Sequence, residues 1–210
     1  MEDVLAQYQL PYDPRHPVLC FAERPCFLIA DVRGLLPMSP GKAKRYHDEY
    51  HKNGSCCVFR AFEPQTGFRY VEVRDRRTAV DYADFMQTLL ARHYPEVESS
   101  RLVQDNLNTH TPGSFYEVLP PPAAFALAQK FEPHYTPKKG SWLNMAEIEF
   151  AALSKQCLDR RIPEVETLRR EVVAWANQRH HAKKTVKWKF AQPDARTKLH
   201  RHYENVQKFT

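Results

Sequence analysis

The chain has 210 residues, of which 42% are hydrophobic and 12% aromatic, enough to bury one sizeable core, and a charged content of 27% excludes a disordered chain. No run reaches the roughly 18–20 apolar residues that a bilayer span needs. The start, MEDVLAQYQL, has neither a basic region nor an apolar run, so a cytoplasmic protein without membrane contact is expected. The net charge of +6 is uneven: residues 151–210 hold 14 Lys+Arg against 6 Asp+Glu, whereas residues 1–150 hold 17 against 19. That asymmetry fits a polyanionic partner or a solvated helical face, and charge alone does not choose between them.

Taken in chain order, residues 1–17 read as a polar, Pro-rich arm. VLCFAE (18–23) reads as a short buried strand, interrupted by Arg24-Pro25, and CFLIADV (26–32) as a second apolar run. Breakers at Pro37, Pro40, Gly41 and Gly54 make 34–54 loop-like. SCCVFRAFE (55–63) and FRYVEVR (68–74) flank a Gly-containing turn and predict a hairpin. Helical spacing over 80–94 follows, with Thr78 as N-cap. SRLVQDN (100–106) is a strand, 123–129 a short helix and 131–137 an extended segment. Helices are expected over 141–161, 164–181 and 193–207, the last with Pro193 in its first turn and joined by an extended 185–190. Five cysteines, an odd number without a CxxC pair, fit neither a zinc site nor a disulfide framework and read as reduced, mostly buried thiols. Cys56 and Cys57 should face opposite sides of their strand. The order of elements predicts a mixed sheet with helices on both faces and a hairpin at one side.

Two segments carry chemistry. In VQDNLNTH (103–110), Asp105 ends a buried strand, where open sheets bind ligands, followed by Asn106 and His110. The plainer reading is an aspartate capping a turn. In HYTPKKGSWLNMAEIEF (134–150), a helix expected from near Ser141 puts Asn144, Glu147 and Ser154 on one stripe. Glu147, and Glu149 even more so, also reads as a surface glutamate placed by the helix dipole. Lys138 and Lys139 are candidate phosphate contacts or solvated loop residues. His110 is a candidate to position DNA or a metal site, or a loop histidine. Trp142 and Trp175 are assigned to packing.

Together, QDNLNTH and SWLNMAEIE, with PCFLI, NGSCCVF, YTPKKGSWLN and CLDRR in order, resemble the DDE transposases of the mariner superfamily, in the bacterial group called insertion sequence six-thirty. The resemblance runs from about Val18 to the C-terminus. It implies a ribonuclease-H-like α/β fold, with an arm at 1–17, a catalytic core at 18–161 and a basic helical extension of the same domain at 162–210. It implies a transposase that cleaves and joins double-stranded DNA at transposon ends, as a homodimer, with Mg2+ or Mn2+. Asp105 and Glu147 match the second and third acids of a two-metal site. Lys138, Lys139, His110 and Asn106 become DNA-binding candidates. The first acid, which the family uses to bridge both ions, is Ala22. Glu23 beside it should face the other side of the sheet, and Asp31 is too far along the chain to substitute. No counterpart of the family's helix-turn-helix region is legible. Impaired catalysis is therefore expected, with a non-catalytic DNA-binding module as the alternative. On sequence alone, Ala22→Asp is expected to restore the metal site.

Overall fold

The structure is a computed structural model and describes residues 1–33, 38–42, 48–201 and 203. Parts of the expected 34–54 loop and of the last helix lie outside these residues. Five strands form one sheet: β1 (Val18–Asp31), β2 (Tyr50–Glu63), β3 (Phe68–Arg74), β4 (Ser100–Gln104) and β5 (Phe131–Tyr135), in the order β3-β2-β1-β4-β5. The β1/β2 and β2/β3 pairs are antiparallel, whereas β1/β4 and β4/β5 are parallel. Helices cover both faces, and the fold is the ribonuclease-H-like α/β architecture expected.

Alternation along the strands builds two cores. On one face Val18, Cys20, Ala22, Val58, Phe62 and Val103 pack with residues of α1 (Glu2–Gln9), α5 (Met145–Gln156), α6 (Val165–His181) and α7 (Gln192–Lys198). On the other, Leu19, Phe21, Phe59, Ala61 and Leu102 pack under α2 (Ala79–His93), α3 (Gly113–Tyr116) and α4 (Pro121–Ala128). Cys56 joins the first core and Cys57 the second, as the strand period requires. All five cysteines are free thiols; Cys26 and Cys157 are only half-buried.

Several expectations about elements change: β2 begins at Tyr50, inside the stretch expected to be a loop, and α5 ends at Gln156, short of Arg161. Residues 1–17 are more than an arm, because α1 inserts Val4 and Leu5, both fully buried, into the first core. β1 is one strand and not two runs. It pairs with β4 only over Val18–Cys20, so beyond that point it has a strand neighbour on one side only among the described residues, and Pro25 can sit in register with Cys57 without breaking a ladder on both sides. The helix expected from Ser141 begins instead as a 3-10 turn at Ser141–Leu143, and α5 starts at Met145. Thr78 caps α2 with a full capping box, as expected.

Candidate active site at the ends of two parallel strands

Asp105 lies one residue beyond β4, where the chain leaves the sheet beside β1. Its loop folds back on itself: the His110 amide donates to the Leu107 carbonyl at 2.9 Å, and Gln104 Nε2 and the Tyr135 hydroxyl both donate to the His110 carbonyl, at 3.1 and 2.9 Å. This places His110 Nδ1 2.6 Å from Asp105 Oδ1, with Nε2 3.5 Å from Glu23 Oε2. The imidazole is buried, stacked on Tyr82 and edge-on to Phe21. Burial pushes its pKa down, but the carboxylates of Asp105, at hydrogen-bond distance, and of Glu23 outweigh burial and raise it to about 9. The histidine in turn holds the half-exposed Asp105 carboxyl below the usual carboxylate range. His110 thus sits behind Asp105 and orients it; buried as it is, it offers no surface to DNA.

Glu147, expected from the sequence as the third acid, lies in the first turn of α5. Asn144 caps that helix, its side chain accepting from the Ala146 amide at 3.0 Å while its Nδ2 donates to the Phe21 carbonyl at 2.7 Å. One amide therefore fixes the helix N-terminus to β1, at the residue before Ala22. Asn144 is a cap rather than a stripe partner of Glu147. Glu147, half-buried in the first turn, has its pKa raised by burial and then by the nearby charge of Asp105, so the two carboxylates feel each other. Glu149 is not a surface residue. It is buried and accepts from Arg69 Nε at 2.6 Å and Arg179 Nη2 at 2.7 Å. Burial works to raise its pKa, but these two guanidinium groups prevail and lower it. Ser154 lies further along α5 and accepts from Arg24.

Ala22 belongs to the same core as Val103, Met145 and Ala146, so its methyl faces the α5 side of the sheet. The Glu23 carboxylate faces the other way, buried near His110 and Arg77. Directly across the β1/β2 ladder from Ala22 is Arg60. It is 0% exposed, and among the described residues no group accepts a hydrogen bond from its Nε, Nη1 or Nη2. Its guanidinium lies over the rings of Phe150 and Trp175, 4.2 and 5.0 Å from their centroids. Burial pulls its pKa down to about 9, against the attraction of Glu149. The sequence did carry a signal for it: an arginine in CCVFRAF (56–62), a run otherwise apolar on both faces.

Residues 17–169 match the family described as DDE superfamily endonuclease. The chain belongs to that family. No curated protein matches it. Among solved structures it is similar to the Mos1 mariner paired end complex with Mn (14% identity, TM-score 0.56, 86% of this chain and 54% of that one). It is also similar to the Mos1 transposase paired-end complex with left transposon end (14%, 0.58, 86% and 54%). A third likeness is to the Mos1 strand transfer complex (13%, 0.57, 87% and 58%). At such identities the likeness shows the fold. This DDE-family chain spans a little over half the length of the structures it matches.

A family site of three carboxylates would hold two divalent ions. The residues present do not fit that group. Position 22 offers a methyl, the group facing it across the ladder is a cation, and among the described residues no three His, Cys, Asp or Glu side chains gather as metal ligands.

Of the surface candidates, Lys138, Lys139 and Asn106 are exposed. The lysines stand on a tight turn closed by the Gly140 amide donating to the Pro137 carbonyl at 2.8 Å. A Cβ at position 140 would come within 2.7 Å of Pro137 Cγ, so the turn needs glycine. Trp142 is not core: it is 47% exposed and stacks near Trp188 and Phe190. Trp175 is buried and donates to Gln156. No helix among the described residues is long and apolar enough to cross a membrane.

Proposed function

We propose that this chain is the catalytic domain of a DNA transposase acting on double-stranded DNA at transposon ends, as a dimer, and that this copy is impaired in cleavage and strand transfer. The observation that carries the reading is the match of residues 17–169 to the DDE endonuclease family, with Asp105 one residue past β4, Glu147 in the first turn of α5 and an alanine at position 22 facing the α5 side. Residues 18–161 form the catalytic core in this reading. Residues 162–210 extend it with basic helices, and the lead-in 1–17 contributes α1. Lys138, Lys139 and Asn106 contact DNA, and His110 keeps Asp105 ionised and aimed. An oxyanion displaced from phosphorus needs fixed positive charge, and in such reactions that charge lowers the barrier more than any other effect. The damaged carboxylate set cannot recruit it as divalent ions, so hydrolysis and strand transfer are slowed by orders of magnitude.

Duplex binding by fluorescence anisotropy across a salt series, with plasmid nicking in Mg2+ and Mn2+, tests both halves. Salt-sensitive binding without nicking is expected. Absence of duplex binding at low salt refutes the DNA reading, and nicking by the chain as it stands refutes the impairment. A DNA-binding module without chemistry is the second reading, favoured by Ala22 alone. It requires that no substitution at the site brings nicking back.

A further inference from the structure

We infer that Arg60 is a built-in counter-cation of the carboxylate site, which captures any carboxylate placed at position 22 and keeps divalent ions out, so that the site departs from a metal centre at two positions and not one. The inference rests on the transposase reading of Asp105 and Glu147.

Position on the sheet comes first. Ala22 and Arg60 are directly paired across the antiparallel β1/β2 ladder, and both face the α5 side. Directly opposed residues have Cβ atoms about 4.5–5.5 Å apart, well within the reach of an arginine. A carboxylate at 22 and the Arg60 guanidinium are therefore neighbours before any other part moves.

Charge comes second. Arg60 is fully buried with three nitrogen atoms that nothing among the described residues accepts from. The ring faces of Phe150 and Trp175 hold the cation without neutralising it. Glu149 is the nearest carboxylate by influence, but Arg69 and Arg179 already occupy its oxygens. Three guanidinium groups thus share one carboxylate under α5 and α6. The other acid whose charge bears on Arg60 is Glu147, one of the two remaining family carboxylates. A buried orphan charge is costly until paired, so an Asp side chain at 22 satisfies Arg60 first. A divalent ion entering beside this excess positive charge is repelled in a medium that screens poorly.

The single reversion expected from sequence alone therefore needs a second change. The test uses the full chain as A22D, A22D/R60M, A22D/R60Q and A22D/R60K, melted in chelator and in a MnCl2 series. Met keeps the length of the side chain without its charge; Gln is run beside it so that poor folding of one leaves the comparison standing; Lys keeps the charge. We expect A22D to melt above the parent chain in chelator and to be unmoved by Mn2+, with A22D/R60K behaving the same way. A22D/R60M and A22D/R60Q are expected to melt lower in chelator and to be raised by Mn2+, with half-saturation at a concentration at least tenfold below any response of A22D. A Mn2+ shift in A22D equal to that of the double variants overturns the inference, and so does a lack of any shift in both neutral double variants. Duplex anisotropy on the same samples reports separately on the transposase reading, because that reading fails if none of them binds DNA, whatever manganese does.

Discussion

At the scale of single residues, His110 illustrates how a loop histidine becomes a structural cation. It bridges Asp105 and Glu23, on opposite sides of its ring, inside an aromatic box of Phe21 and Tyr82. Its pKa is raised from an ordinary 6.5 to about 9. A raised histidine pKa contributes stability that is fully present below about pH 6.5 and is lost as pH rises through about 9. The contribution is about 2 kcal/mol once the exposure of Asp105 is discounted. The stability difference between the parent chain and H110Q, from urea melts, should accordingly be largest near pH 6 and shrink towards pH 10. A difference independent of pH would mean that His110 acts by packing alone. The sequence marked His110 as a candidate through QDNLNTH, but its burial and its second carboxylate depend on Glu23, 87 positions earlier, and no local pattern links them.

At the scale of elements, α2 and α5, which flank the sheet on opposite faces, differ in how they are fastened. Thr78 caps α2 at an exposed site, by an exchange with Asp81 that is wholly local. Asn144 caps α5 while buried and also ties it to the Phe21 carbonyl of β1. T78A should cost about 1 kcal/mol, the usual value of a cap. N144A should cost about 2 kcal/mol or more, because it also leaves a buried carbonyl short of a donor. Urea midpoints at constant m-value measure both, and equal losses would show that the tie to β1 contributes nothing. Thr78 was legible in sequence because a capping box spans four residues. The role of Asn144 was not, since half of it depends on a strand more than 120 positions away. β1 misled for a related reason: Pro25 looks like a break until the register shows that it pairs with a strand on one side only among the described residues.

At the scale of the molecule, the basic C-terminal third is not a separable tail. Leu168, Val172, Trp175 and Ala195 lie in the first core, so truncation after Arg161 would unfold the protein rather than remove a DNA contact. Much of its positive charge is also engaged internally: Arg160 with Glu171, Arg161 with Asp31, Arg179 with Glu149 and Arg196 with Glu2. The lysines at 183, 184, 187 and 189 are exposed, on a strip where Val186, Trp188 and Phe190 turn inward. Changing these four to glutamine should weaken duplex binding at every sequence and flatten the salt dependence, by about 0.9 in log–log slope for each phosphate left without its lysine. An unchanged slope would assign binding to the Lys138–Lys139 turn instead.

What the sequence determined by itself was whatever repeats locally. Strand alternation separated Cys56 from Cys57 and Ala22 from Glu23, helical spacing and Thr78 framed α2, and two contiguous motifs singled out Asp105 and Glu147. What only the tertiary structure decided was charge pairing across the sheet. Glu149 became a buried ion-pair partner because α6 and β3 bring Arg179 and Arg69 to it. Arg60 became the neighbour of position 22 because β1 and β2 run antiparallel in that register. The physical reason is range: periodicity is fixed by backbone geometry over a few residues, whereas a buried charge takes its energy from whatever the fold places within a few ångströms of it.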